Sequence, residues 1–476
     1  MNETTRTYDV IVIGAGPVGE NVAERARAAG LSTVIVEREL LGGECSFRAR
    51  DASKALLRPV VARADARRVP GLAQAVAGPL DAGAVLAHRD KMASYRKDED
   101  RADRLNSVSV DLIRGHGRLD GPRRVRVETP DGGTITLSAR HAVVVSTGTH
   151  AAVPALPGLD TVRAWTSREA TSADKVPGRL AVVGGGVVAV EMATAWQALG
   201  SQVTMLVLED GLLQRMESFA GRLVTDGLRE AGVDVRFTTS VARLARENGE
   251  VRIALADGGH LVADEILFAT GRAPNTWDLG LETIGLTPGD WLKVDDTFRV
   301  TGVADGWFYA VGDVNQRALL THQGTYQARI AGAVIGARAG GEVVDDTLWG
   351  THVATADHMA VPQVVFAHPE VASVGMTTHD AVGFGHRIKV VDYDLAHVAG
   401  AHEYAEEYRG QARMLIDLDR DTVAGVTFAG PGVTELLYSA TVAVAGEVPI
   451  DRLWHAVPAF PTIGEIWLRL LETHRG

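Results

Sequence analysis

Gly14, Gly16 and Gly19 follow an apolar run, Val10 to Ile13, and Glu37 closes a second apolar run. The G-x-G-x-x-G spacing suits dinucleotide binding. The first glycine permits the turn, the second lets a pyrophosphate approach, and the third lets a helix pack on a strand. The phosphates would sit at the helix N-terminus beside Pro17. Glu37 would accept hydrogen bonds from both ribose hydroxyls. A few residues on stands Cys45, the one cysteine in 476 residues, inside GGECSFRARDASKALLRP. With no second cysteine in the chain, no intrachain disulfide can form. No base is apparent near it in sequence, so a buried, inert thiol is the better expectation than a nucleophile.

The elements that must position these groups follow from apolar periodicity. Residues 8 to 37 form a strand, a glycine turn, a helix with small residues on one face, and a second strand: a βαβ unit. Adding 170 to the numbers finds the pattern again at 180 to 207, with Gly14, Gly16, Gly19 and Gly30 mapping to Gly184, Gly186, Ala189 and Gly200. Two dinucleotide sites are implied. The same offset carries Glu37 onto Val207, and Leu208 supplies no arginine for a 2′-phosphate, so the choice between NADH and NADPH is unreadable. An alternative is that the second unit has kept the fold and lost tight binding. The segments 141–150, 265–276 and 306–314 each read as a strand ending in a turn, at Thr147–Gly148, Thr270–Gly271 and Gly312–Asp313. Asp313 would accept from a ribitol hydroxyl while Gly312 lets the backbone come close.

Bulk properties bound the function. The length predicts about three or four domains. Forty-eight basic against 60 acidic side chains, a net charge of −12, leave no basic surplus for nucleic acid. The N-terminus lacks a basic stretch followed by a long apolar one, and no segment reaches about 18 uninterrupted apolar residues, so neither a signal peptide nor a membrane span is expected. One cysteine fits a reducing compartment, and the expected location is the cytoplasm. His116, His322 and His368 show no metal-binding spacing, and no metal site is expected.

With these residues in hand the chain resembles the flavoprotein disulfide reductases, the family of dihydrolipoamide dehydrogenase, glutathione reductase and mercuric reductase. The likeness runs through the turn at Gly14 to Glu37, the GGxC segment at Gly42 to Lys54, the turns at Thr147 and Thr270, Gly312–Asp313, VVFAHPEVASVG at 364 to 375, and PTxxE at Pro461 to Glu465. It implies an α/β fold with two Rossmann-like dinucleotide-binding domains and a C-terminal α+β dimerisation domain. The expected division is an FAD-binding domain at 1–150, an NAD(P)-binding domain at 151–275, a central domain completing the FAD site at 276–348, and the dimerisation domain at 349–476. The implied cofactors are FAD and NADH or NADPH, in a homodimer whose active site spans the interface. Around the flavin the resemblance adds Arg38, Gly43, Gly117, Arg272, Leu320, Thr321 and His322 to the cofactor-binding residues. It makes Lys54 and Glu191 an ion pair beside the flavin N5, and puts Val187 where the family often has a tyrosine gate over the nicotinamide.

Two departures matter. The family pairs the cysteine matching Cys45 with one five residues later, where this chain has Arg50; and its acid/base histidine, five residues before Glu465, is here Phe460, with His455 too far off to inherit the role. A thiol relay needs an attacking thiolate, a resolving partner and a proton acceptor. One of the three remains. Arg48 and Arg50 could hold an anionic or quinonoid substrate or stabilise anionic reduced flavin; alternatively they bridge to Asp51 or Glu44 and fill space. Phe460 would give an apolar wall, and as a core residue it would look the same. The expected enzyme therefore passes electrons from NAD(P)H through FAD directly to a small organic acceptor such as a quinone, and is not a disulfide reductase. A flavin oxidase or desaturase of a specialised metabolite, a soluble transhydrogenase, and a catalytically retired dimeric flavoprotein remain open.

Overall fold

A computed structural model describes residues 4–476, which fall into two compact units. The first comprises residues 4–51, 90–150 and 272–358. It is built on a seven-stranded sheet. Strand β1 (Thr4–Ile13) leads through helix α1 (Pro17–Ala28) to β2 (Thr33–Glu37). Helices α2 (Gly43–Arg48) and α3 (Arg50–Ala66) follow, and α3 runs on into the second unit. Strands β3 (Asp111–Arg114), β4 (His116–Leu119), β5 (Arg124–Glu128) and β6 (Thr134–Val145) complete the order β3-β2-β1-β6-β5-β4. The end of β6 also pairs in parallel with Phe308–Ala310. Val10 to Ile13, Val34 to Val36 and Ala142 to Val145 are buried on both faces, which is why they read as continuous apolar runs and not as alternation.

Helix α1 lies against the long helix Thr321–Ala339, and glycines set the spacing. A Cβ on Gly324 would stand 2.6 Å from Val18, and one on Gly332 2.5 Å from Arg25. Only bare backbone fits there.

The second unit comprises residues 52–89, 151–271 and 359–476. Its middle piece holds a four-stranded parallel sheet in the order 234–236, 202–206, 179–183, 265–268, with the helix Val187–Ala198 after the glycine turn. A three-stranded antiparallel sheet of 241–247, 250–255 and 260–263 adjoins it in the chain. The C-terminal piece is a five-stranded antiparallel sheet in the order 363–365, 370–375, 422–430, 411–417, 388–394, joined to helices. The expected α/β class is what folds, and the sequence repeat is a structural one. Gly14 N–H donates to Val36 O at 2.9 Å, and Gly184 N–H donates to Leu206 O at 3.0 Å, the same bond 170 residues on.

His368, one of the histidines without metal-binding spacing, is set against a close backbone contact. A Cβ on Gly227 would come within 2.1 Å of the His368 carbonyl oxygen. Burial, reinforced by the Arg68 guanidinium, lowers the imidazole pKa from 6.5 to about 4. The folded state keeps this ring neutral while the unfolded chain takes up a proton below 6.5. Stability from this group therefore rises with pH between about 4 and 6.5 and is lost as pH falls through that window. His368→Gln is expected to flatten the pH dependence of unfolding between pH 7 and pH 4.5 by about 2 kcal/mol, measured by urea denaturation at both pH values.

Candidate functional site

The first glycine turn is a cradle made by backbone. Gly14 has φ +99°, and a Cβ there would meet Ser146 O at 2.6 Å; a Cβ on Gly19 would meet Gly14 O at 2.0 Å. Ser146 Oγ donates to Gly14 O at 2.7 Å and closes the turn from behind. At Gly16 an added Cβ meets nothing within 4 Å. Gly16 caps α1 with no side-chain hydrogen bond, and Pro17 follows at the first helical position. Uncapped N–H groups and open space at a helix N-terminus fit the pyrophosphate of a dinucleotide such as FAD. Gly43 sits on this turn, its Cβ direction 3.2 Å from Gly16 Cα, and Gly117 is packed between Val36 and Ile13.

Glu37 is buried at the end of β2 with a defined task. Its Oε2 accepts from Ala15 N–H and its Oε1 from Glu39 N–H, both at 2.7 Å. The carboxylate expected to face a ribose is thus also the anchor of the turn, each oxygen keeping a further lone pair. Arg38 beside it is exposed.

Also within the first unit, Cys45 on α2 lies 3.0 Å from Thr321 Oγ1. Burial pushes the thiol pKa up, against the Thr321 hydrogen bond and the Arg50 charge, which pull it down. An uncharged, hydrogen-bonded thiol is the result. Glu44 pairs with Arg272 at 3.1 Å, and Arg272 also donates to Thr149 O at 2.8 Å and to Thr149 Oγ1. Thr149 Oγ1 in turn donates to Asp313 Oδ2 at 2.7 Å, with Arg272 Nε 3.8 Å from the same oxygen. Burial raises the Asp313 pKa. Thr147 and Gly148 are held by Asn275: Thr147 Oγ1 donates to Asn275 O at 2.9 Å, Asn275 Nδ2 to Thr147 O at 2.9 Å, and Asn275 N–H to Gly148 O at 3.0 Å. Leu320 caps the helix that the half-buried Thr321 and the exposed His322 begin. Arg50, with its side chain 52% exposed, gives its guanidinium to Asp51 through Nε at 2.7 Å and Nη2 at 3.0 Å.

In the second unit Lys54 Nζ reaches both Glu191 oxygens, at 3.0 and 2.7 Å. Glu191 Oε1 also accepts from Phe366 N–H at 3.1 Å, and the Phe366 ring lies under the ammonium at 4.7 Å. The second glycine turn repeats the first: Gly184 with φ +125°, Gly186 with open Cβ space, and a helix N-terminus without a side-chain cap. Val187 and Val188 are half-exposed at its start. Val207, at the ribose position, is fully buried, and its methyl would stand 2.8 Å from a Cβ on Gly185; Leu208 is exposed. Gly271, with φ +134°, accepts from Ala152 N–H at 2.9 Å.

The C-terminal candidates do not form a dyad. Phe460 is 60% exposed, so the expectation that it could equally be a core residue is corrected. Glu465 is buried, its Oε1 held by Arg469 and its Oε2 without a hydrogen-bond partner among the described residues. His455 is exposed. Among the described residues no group of three or more metal-binding side chains could hold an ion. Two contacts at the candidate site had no local signal: Phe366, carried within VVFAHPEVASVG, and the Glu44–Arg272 pair.

The family model for pyridine nucleotide-disulphide oxidoreductase matches residues 8–331, and the dimerisation domain of the same class matches residues 361–470. Dihydrolipoyl dehydrogenase 3 of Pseudomonas aeruginosa is 32% identical over 473 residues, covering 96% of this chain and 96% of that one. Mercuric reductase of Staphylococcus aureus is 27% identical, covering 96% and 81%. Among solved structures, LpdA from Mycobacterium tuberculosis has a TM-score of 0.83 at 24% identity, covering 98% and 99%. The Cu(II) complex of the HOCl-induced flavoprotein disulfide reductase RclA from Escherichia coli has a TM-score of 0.82 at 23% identity, covering 99% of each.

The Lys54–Glu191 pair is the charged contact most exposed to test. Glu191→Gln keeps an oxygen for Phe366 N–H and removes the charge under Lys54. Because Glu191 is 5% exposed and Lys54 35%, the expected loss is about 1–3 kcal/mol, below that of a fully buried pair. Arg124→Ala, which breaks the exposed bridge to Asp120, is expected to cost within about 0.5 kcal/mol. Urea unfolding of the two variants side by side checks the ranking.

Proposed function

This chain belongs to the pyridine nucleotide-disulphide oxidoreductases, flavin-dependent enzymes that use FAD and NAD(P)H, and from that premise we propose that it passes electrons directly from FAD to a small organic acceptor such as a quinone, without a thiol relay. The observation that carries this is the cysteine count. One cysteine serves 476 residues, its thiol is hydrogen-bonded to Thr321 and its pKa is raised by burial. Bound FAD supplies the chemistry: it takes a hydride from NAD(P)H and delivers two electrons. The balanced reaction is NAD(P)H plus a proton plus quinone giving NAD(P)+ plus hydroquinone.

The chain's own residues bind and tune. The turn shaped by Gly14, Gly16 and Gly19 offers the uncapped N–H groups of the α1 N-terminus to the pyrophosphate, Glu37 accepts from the ribose, and Asp313 accepts from a ribitol hydroxyl. Lys54 and Glu191 tune hydride transfer as a fixed charge pair, with Phe366 holding the ammonium in place. Arg50 has its fork filled by Asp51. That favours the space-filling alternative over an anion clamp. The dimerisation-domain match supports a homodimer, and the exposed Tyr438, Val442, Val457 and Phe460 all fall within the matched residues 361–470. We infer that a second copy covers them. The cytoplasm is the compartment that a single, reduced cysteine suits.

Anaerobic stopped-flow mixing with NADH and NADPH in turn, followed by an acceptor screen, tests the reaction. Flavin bleaching by one of the nucleotides and quinone turnover are expected, with dithiol and disulfide substrates turned over no faster than by unbound flavin. Cys45→Ser is expected to retain quinone turnover within about threefold, since a thiol off the electron path supplies no more than a fraction of one kcal/mol. Loss of quinone turnover in that variant, or lipoamide turnover by the parent, would overturn the proposal. Sedimentation of the holoenzyme is expected to give a dimer, weakened by Phe460→Asp, which would bury a charge at the interface.

A further inference from the structure

Gly312 opens the turn that carries Asp313, with φ 78° and ψ −157°, a conformation that side-chain-bearing residues rarely adopt. Its N–H donates to Gln327 Oε1 at 2.7 Å, and the same oxygen accepts from Asn315 Nδ2 at 2.8 Å. A glutamine amide has one accepting end and one donating end. With its oxygen committed to two donors, its nitrogen must find an acceptor. Gln327 is fully buried, out of reach of bulk water. Asp357 does: Gln327 Nε2 donates to Asp357 Oδ2 at 2.9 Å. The other Asp357 oxygen accepts from Gln323 Nε2 at 2.6 Å, and Arg317 Nη1 stands 3.9 Å from Oδ2. The Asp357 side chain is 0% exposed.

A carboxylate sealed in this way is costly, and it needs a reason. The orientation of Gln327 gives one. An acceptor at 357 makes the amide present oxygen to Gly312; a donor there would let the amide turn and set its NH2 against the Gly312 N–H, two donors face to face. We propose that Asp357 is a positioning residue for the FAD-binding turn Gly312–Asp313, acting through the orientation of the Gln327 amide. This rests on the proposal that Gly312 and Asp313 hold FAD. Asp357 touches neither cofactor nor acceptor in this scheme. It fixes the hydrogen-bond polarity of the side chain that fixes the turn.

The polarity can be exchanged. Gln327→Glu puts a second carboxylate against Asp357 with no donor between them, while still offering oxygen to Gly312. Adding Asp357→Asn restores a donor, and Asn Oδ1 still accepts from Gln323. Gln327→Leu removes the acceptor for Gly312 altogether, and nothing at 357 can replace it. The full-length protein is purified with its flavin, and FAD retained per subunit, the FAD dissociation constant and the melting of the apoprotein are measured for each variant. Gln327→Glu is expected to weaken FAD binding about tenfold or more, the cost of an unpaired buried polar contact. The Gln327→Glu, Asp357→Asn double variant is expected to recover to within about threefold of the parent. Gln327→Leu is expected to stay weak with or without Asp357→Asn.

Parent-like FAD binding by Gln327→Glu, or no recovery in the double variant, overturns the positioning role. Should Gln327→Glu fail to accumulate as folded protein, recovery of folded, FAD-loaded double variant still supports the role, and failure of both overturns it. Asp313→Ala separates the two levels of the proposal. Loss of FAD in Asp313→Ala with no recovery in the double variant sinks only the positioning role. Retention of FAD by Asp313→Ala sinks the assignment of the turn itself, and the positioning role with it.

Discussion

Backbone meeting backbone at distances that admit no side chain is what the two sheets carrying the glycine turns depend on. At the first turn the directions of the missing Cβ atoms end 2.6 Å from Ser146 O at Gly14 and 2.0 Å from Gly14 O at Gly19; at the second, 2.3 Å from Ala269 O at Gly184. A methyl group at any of these would push the helix off its strand. The consequence is chemical as well as steric. The helix N-terminus is held close to the strand ends with its N–H groups uncapped, and an anion is the partner that such a site favours. Gly43 extends the same logic, since its contact with Gly16 carries the segment holding Glu44 and Cys45 onto the turn.

Three acids of the first unit are matched locally by a cation. Glu44 is paired to Arg272, Asp313 faces the same guanidinium and the Thr149 hydroxyl, and Glu20 is paired to Arg101 at 2.9 Å. Arg101 also donates to Ser46 at 2.7 Å, so the residue after Cys45 is pinned by a cation that is already spent on Glu20. Cys45 itself is left with a hydroxyl for a partner. A thiol in that setting has little to stabilise its anion, because burial works against the charge and the nearest cations are engaged elsewhere. The surroundings of the segment thus favour the neutral thiol at Cys45.

What was legible in the sequence was what is local. The βαβ repeat shows itself because strand, turn and helix are contiguous, and their apolar runs and glycines lie within some thirty residues. The offset of 170 holds down to single hydrogen bonds. The charge pairs are another matter. Glu44 and Arg272 are 228 residues apart and Lys54 and Glu191 137 apart, so no spacing announces them. Lys54 and Glu191 were reached through resemblance to a family; Glu44 with Arg272, and Phe366, were not reached at all. Gln327 and Asp357, 30 residues apart, look in sequence like an ordinary polar helix residue and an ordinary loop acid. Their meaning comes from the donor and acceptor count of a closed interior, which only the fold supplies. Phe460 shows the converse: its position in the motif is legible, while its exposure is decided by how the C-terminal helices pack.

The arginine at position 50 is best understood from the helix it begins. Arg50 is the first residue of α3, where the helix dipole is positive and a cation is unfavourable, and Asp51, in the same first turn, is favoured there. Their bidentate pairing makes the helix start nearly neutral to anything beyond about a Debye length and leaves the net dipole interaction to the carboxylate. A chain that had recruited Arg50 to grip an anion would gain from leaving the fork open, and this one fills it from the next residue. Where the family resemblance would put a second cysteine, this chain therefore carries a guanidinium whose fork is already occupied by its neighbour, a cation spent on the helix start.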